Sequence, residues 1–300
     1  LYKKNRDSIQ RIIMIEENNV YNVRSILNTN RADISTFDKR FTYSLINKKK
    51  YVHNFSFTHS LVNDIVNRNG KSFSLYGLDY KFENSKSFSK VFQYSGNFGF
   101  ETDRNKYFYH FGIQGSYNLE SSLFSLNYKA SPVRNNVGFN DFLYVNSLGL
   151  YYEKNFKNKI NTTAYLESNY YTDNNSDVTL SLAMNYPVIK YGNNIFRTVA
   201  ESSHSLGTAN LDGIPYWMTT NRHFAGGGLQ YQLNTDIDKT FILLDGMYFY
   251  DSYSSYFSRY RAKFNFHLQK YFTVNFSGEL FQHNLYYSNS FNIGLSYYVP

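Results

Sequence analysis

The chain has 300 residues, of which 31 Tyr and 27 Phe bring aromatics to 20%, yet hydrophobic residues total only 42% and the mean hydropathy is −0.51. A soluble protein this rich in rings also carries Leu, Ala and Val to fill a core; this one does not, so its apolar side chains point to a surface. The absence of cysteine excludes thiolate metal sites, thiol nucleophiles and disulfides, and the formal charge of +8 either favours anionic neighbours or reflects a Lys- and Asn-rich composition.

The first 38 residues read as a lead-in. Asp7 or Ser8 is a candidate helix cap, and Ile9, Ile12, Ile13, Val20, Val23 and Leu27 recur at three- and four-residue steps, which predicts a short helix. The alternative for Val20–Leu27 is a first strand. No apolar run approaches the roughly 18–20 residues of a spanning helix, the nearest being Ile12–Ile15 and Phe241–Leu244. Residues 1–30 lack the pattern of a secretory signal and the chain does not start with Met, so a mature or C-terminal fragment is expected.

From about residue 40 the period is two. Strands are predicted near 40–46, 51–61, 72–83, 88–102, 107–119, 122–131, 141–155, 159–172, 177–189, 195–206, 224–235, 239–251, 255–269, 271–283 and 289–299, with Asn, Lys, Asp, Ser and Gly clusters between them. Phe92, Tyr94, Phe98 and Phe100 oppose Gln93, Ser95, Asn97 and Glu101; Tyr107, Tyr109, Phe111 and Ile113 oppose His110, Gln114 and Ser116. A wet-faced sandwich also alternates. Two features argue against it. Aromatics collect at segment ends, as in Tyr151–Tyr152, Tyr170–Tyr171 and Tyr248–Phe249–Tyr250, like the girdles of a membrane barrel. Links also alternate, tight near 47–50, 119–122, 190–194 and 269–271 and long at 62–71, 132–140 and 207–223. The fold class predicted is all-β, a transmembrane antiparallel up-and-down barrel over 39–300 with 1–38 as a periplasmic lead-in. Fifteen segments conflict with the even strand number of single-chain bacterial barrels, so sixteen are expected, the missing one within 20–39; fourteen is the other even solution.

Closure would turn the rings to lipid and the polar parity to a lumen. The ladder Arg259, Arg261, Lys263, Asn265, His267, Gln269 then lines the interior, with Gln93, Glu101, His110 and Gln114 on other strands. Such cations either attract anionic and hydrogen-bonding solutes or pair with lumenal carboxylates such as Glu279. Tyr216 and Trp217, in the longest external link, are candidates to stack on a sugar or to sit at the interface. Gly226–Gly228 lacks the Lys-Ser/Thr of a phosphate loop and reads as a bend or a close strand contact. The seven histidines show no metal-ligand spacing, so no metal and no cofactor is expected. His204 and Ser205 are neighbours on a strand and point apart, so no catalysis is expected. Rings and cations on opposite faces also argue against a nucleic-acid partner.

The stretch "IEENNVYNVRSIL" (Ile15–Leu27) resembles the Asn-rich junction and helix of a degenerate tetratricopeptide repeat, and "GIPYW" (Gly213–Trp217) before "GGGLQYQL" (Gly226–Leu233) is similar to an aromatic loop entering a strand. Together they resemble the C-terminal barrel of the repeat-linked outer-membrane exporters of exopolysaccharide, the group of the cellulose and poly-N-acetylglucosamine porins. The resemblance implies a sixteen-stranded pore passing a growing glycan, with outer-membrane lipid and lipopolysaccharide around it and periplasmic synthesis machinery as partner. Two other functions fit the same barrel: a general or anion-preferring porin for small solutes, and a non-transporting adhesin or assembly platform.

Overall fold

The computed structural model describes residues 10–21, 34–47, 51–64, 71–84, 91–103, 105–133, 142–157, 159–208, 221–235, 240–252, 255–269, 272–283 and 287–299. These form sixteen strands: β1 (Gln10–Tyr21), β2 (Ile34–Asn47), β3 (Tyr51–Asp64), β4 (Lys71–Asn84), β5 (Phe92–Thr102), β6 (Tyr107–Leu119), β7 (Ser122–Pro132), β8 (Tyr144–Asn155), β9 (Asn161–Tyr171), β10 (Ser176–Tyr191), β11 (Asn194–Gly207), β12 (Asn221–Asn234), β13 (Phe241–Asp251), β14 (Ser255–Gln269), β15 (Phe272–His283) and β16 (Tyr287–Val299). Each pairs antiparallel with its neighbour in sequence, and β1 pairs with both β2 and β16, which closes the sheet.

The lead-in is corrected at this point. Gln10–Tyr21 is a strand, not a helix, in register from Arg11 opposite Val299 to Tyr21 opposite Asn289. Without it β2 and β16 would each present an open row of backbone donors and acceptors, and pairing both edges outweighs a weak helical periodicity. The rest of the expected helix, from residue 22 to 27, lies outside the described residues.

Even the shortest strands, of eleven residues, cover about 26 Å along the barrel axis at a rise of about 3.3 Å and a tilt near 45°. Links on the side of the chain ends are mostly short, such as 120–121, 192–193 and 270–271, and the longest, 22–33, 133–143 and 208–220, fall on the other. At the two-residue turn 192–193, Gly192 supplies the positive φ (54°) that a tight hairpin needs. Pro187 sits beside a register shift between Pro187 and Ile189, an irregularity of the kind at which a proline is found in a sheet.

Among the strands whose side chains are described, one parity faces outward and is largely apolar and bare: Ile113 is 62% exposed, Phe98 54%, Leu126 50% and Leu229 68%. Rings gather at both margins of this band. Near the short turns Phe82 contacts Tyr51 and Tyr94, and Phe124 packs on Tyr152 at 4.6 Å; at the far end Tyr248 stacks on Tyr256 at 5.4 Å. The aromatic doublets divide between faces. Tyr170 points out, while Tyr171 is buried inside and donates to Asp177 at 3.0 Å. The inward parity is largely polar, and the small apolar clusters inside sit towards the long-link end, around Val62, Leu75 and Phe108 and around Val199, Met247, Phe249 and Phe257.

Candidate functional site

The interior wall of β11–β15 carries a connected network of arginines and carboxylates. On β14 the inward parity runs Phe257, Arg259, Arg261, Lys263, Asn265, His267, as the alternation predicts. Each arginine is engaged. Arg261 donates through Nε to both oxygens of Asp245 at 2.9 Å, and Asp245, its register partner on β13, has a side chain with no exposure. Arg259 reaches past β13 and β12 to Glu201 on β11 at 2.7 Å, and Arg261 lies 3.8 Å from the same oxygen. One turn nearer the long links, Arg222 on β12 bonds the fully buried Asp251. In a low-dielectric wall a carboxylate stays charged only beside such a partner.

The long reach of Arg259 depends on the floor beneath it. Gly226 and Gly228 face inward on β12, and a Cβ at either would fall on the backbone of β13, at the carbonyl oxygens of Tyr248 and Gly246. The glycine run is therefore a close strand contact, one of the two readings its sequence allows. With β13 pressed against β12, Phe249 stacks on Phe257 at 4.5 Å, Phe224 meets both edge-on, and Phe281 packs on Phe257 at 4.6 Å. Arg259 lies over Phe249 at 5.3 Å and Arg222 over Phe224 at 5.7 Å, so guanidinium planes and rings make one aromatic and cationic ridge.

Across the barrel, β5–β8 carry a different wall. Gly99 separates Asp79 from His110, which bond each other over the space that its side chain would fill. Asn97 covers Gly112 and Asn127 covers Gly149 in the same way. Gln114 donates to Ser125 at 3.2 Å, and a cavity of about 370 Å³ near the short turns is lined by Lys81, Glu83, Gln93, Tyr94, Gln114 and Ser116. Glu101 is buried on the inward face, opposite Gly77 and Phe108.

The structure thus brings Arg259, Arg261, Lys263, Asn265 and His267 together on one wall and places Gln93, His110 and Gln114 on the opposite one. One expectation is corrected. Glu279 is the register partner of Arg261 on β15, yet the guanidinium turns the other way, to Asp245 and Glu201, where two acids meet it. The backbone pairing shifts between His267 and Gln269, which sets Gln269 opposite Phe272. Tyr216 and Trp217 lie outside the described residues. Sequence reading missed Glu201, Asp245 and Asp251; an acid on the polar parity of a neighbouring strand was the available signal, but only the register identifies the partner. Lys263 is exposed to the interior and makes no ion pair with any described residue, and Glu167 and Glu279 face the same space.

No family model matches the chain, and no curated protein matches it. Among solved structures, a bacterial polysaccharide outer membrane secretin superposes with a TM-score of 0.73 at 6% identity, over 99% of this chain and 100% of that one. OccAB1 of Acinetobacter baumannii (TM-score 0.49, 7% identity, 99% of both chains) and a BenF-like porin of Pseudomonas fluorescens (0.47, 8%, 98% and 99%) are more distant. At such identities the likeness to the first is one of fold.

Proposed function

We propose that the protein is a channel of the bacterial outer membrane whose lumen passes a polar polymer, a secreted exopolysaccharide. The carrying observation is the inversion of the barrel: a bare apolar band with rings at both margins outside, and a polar, charged wall inside. Such an outer surface is stable only against hydrocarbon, and lipid offers no partner to an open strand edge, which is why closure and membrane go together. Phe249 and Phe257 are buried beneath the guanidinium groups, so the surface offered to a solute is one of guanidinium, amide and hydroxyl groups, which suits the hydroxyl rim of a sugar. The fold shared with a protein described as a polysaccharide outer membrane secretin supports the same reading. Periplasmic synthesis machinery and lipopolysaccharide are the partners that this role calls for.

A small-solute porin is the second reading, and the cation ladder favours it only if the cations are free. Arg259 and Arg261 are not: Glu201 and Asp245 compensate them, so the account predicts a large conductance in planar bilayers with weak preference between K⁺ and Cl⁻, reduced by soluble glycan oligomers. A strongly anion-selective reversal potential, untouched by oligosaccharide, would favour the porin. Replacing Glu201 with Gln, which leaves two arginines short of one partner, is expected to move the reversal potential towards anion selectivity. An unchanged potential would mean that this network does not border the conducting path.

The outer face gives a further expectation. Ile113→Arg should cost about 2–4 kcal/mol near the middle of the band, while Gln114→Arg on the opposite parity should be tolerated. Denaturant titration of the protein folded into lipid vesicles compares the two, and equal costs would count against the assignment of faces.

A further inference from the structure

His204 on β11 and His223 on β12 are far apart in sequence, but the register sets them directly opposite each other on the outward face. Their ring centroids are 6.2 Å apart at 33° between planes, and both residues are exposed. Neither imidazole has a hydrogen bond or ion pair with any described residue. The backbone beneath is fixed although β12 begins only two residues earlier: the His223 amide donates to Ser252 Oγ at 3.1 Å and the Ser252 amide to the His223 carbonyl at 2.9 Å. The guanidinium of the adjacent Arg222 points to the other face, where Asp251 holds it. We propose that His204 and His223 form a two-imidazole site for a borderline divalent transition ion such as Cu²⁺ or Zn²⁺.

A histidine nitrogen ligates such an ion at about 2.0–2.1 Å, which puts the ring centroid about 3.2 Å from the metal. Two ligating rings are then about 5 Å apart in a tetrahedral site and about 6.4 Å apart when trans in a tetragonal one, and the observed 6.2 Å lies within that range. Oxygen donors complete the shell, from water or from outside the chain. The two rings lie at the long-link end of their strands, two or three residues from Gly207 and Asn221, where water reaches them. The inference rests on register and ring geometry and not on the transport reading.

Copper alone is the probe, titrated into the folded, detergent-solubilised protein and followed by electron paramagnetic resonance. The expected result is one saturable Cu²⁺ per chain with hyperfine structure from two nitrogens. His204→Asn and His223→Asn should each lower the affinity roughly tenfold or more and leave one coordinated nitrogen, while His53→Asn, on β3, should change neither. Heat-modifiable gel mobility confirms that each variant is folded, which these exposed positions allow. Absence of saturable one-to-one binding, or binding retained with two nitrogens in both single variants, would overturn the site.

Discussion

Gly228→Val and Gly226→Val are expected to abolish barrel assembly, with no heat-modifiable folded form on refolding into detergent or lipid. At both positions the first carbon of any side chain falls on the main chain of β13, at Gly246–Met247 and at Tyr248–Phe249, and no rotamer change relieves contact with backbone. The strands would have to separate, which breaks the ladder from Phe224–Asp251 to Asn234–Phe241 and removes the floor under Arg259. Gly227 lies between them but faces outward, where the nearest atom to a Cβ is the Val199 carbonyl oxygen at 3.3 Å. Gly227→Ala should therefore fold with at most a small loss. A folded Gly228→Val barrel with normal mobility would show that β12 and β13 are not in this close contact.

Arg261→Ala is expected to destabilise the folded barrel by about 3–5 kcal/mol, the cost of leaving a buried carboxylate without its partner. Asp245 has no exposed side-chain surface, and both its oxygens accept from Arg261. Natural domains have only about 5–15 kcal/mol in total, so the loss should be plain in a denaturant midpoint. Pairing the change with Asp245→Asn removes the stranded charge and should recover most of the loss; a double variant as unstable as the single would mean that the ion pair is not the cause. Glu279→Gln, at the register partner that Arg261 does not use, is expected to have little effect.

The alternation that revealed the barrel is a backbone property of period two, so it reads directly from residues such as Tyr109, His110, Phe111, Gly112, Ile113 and Gln114. Strand count and partners are set instead by how neighbouring strands slide past one another, and no local pattern records that. This is why Gln10–Tyr21, with its mixed Ile and Glu-Asn-Asn composition, reads as helix in isolation but is a strand where it has two edges to join. The same holds inside the lumen. The cations of β14 were legible, but whether Arg261 turns to Glu279 or to Asp245 depends on acids one strand away on either side and on glycines that open a path to Glu201. The register shift after His267 was hidden for the same reason, since no local pattern marks it. His204 and His223 carry no signal in their spacing; only the β11–β12 register makes them neighbours.

The proposed function requires side chains of one parity to touch hydrocarbon and those of the other to touch water. The protein contains no cysteine, so single cysteines at Ile113, Gln114, Leu126 and Asn127 can each carry a nitroxide without background labelling. With the folded protein in lipid vesicles, collision rates with dissolved oxygen and with a water-soluble nickel chelate distinguish the two environments. The account predicts oxygen-dominated relaxation at 113 and 126 and chelate-dominated relaxation at 114 and 127. Chelate access at all four positions would contradict it.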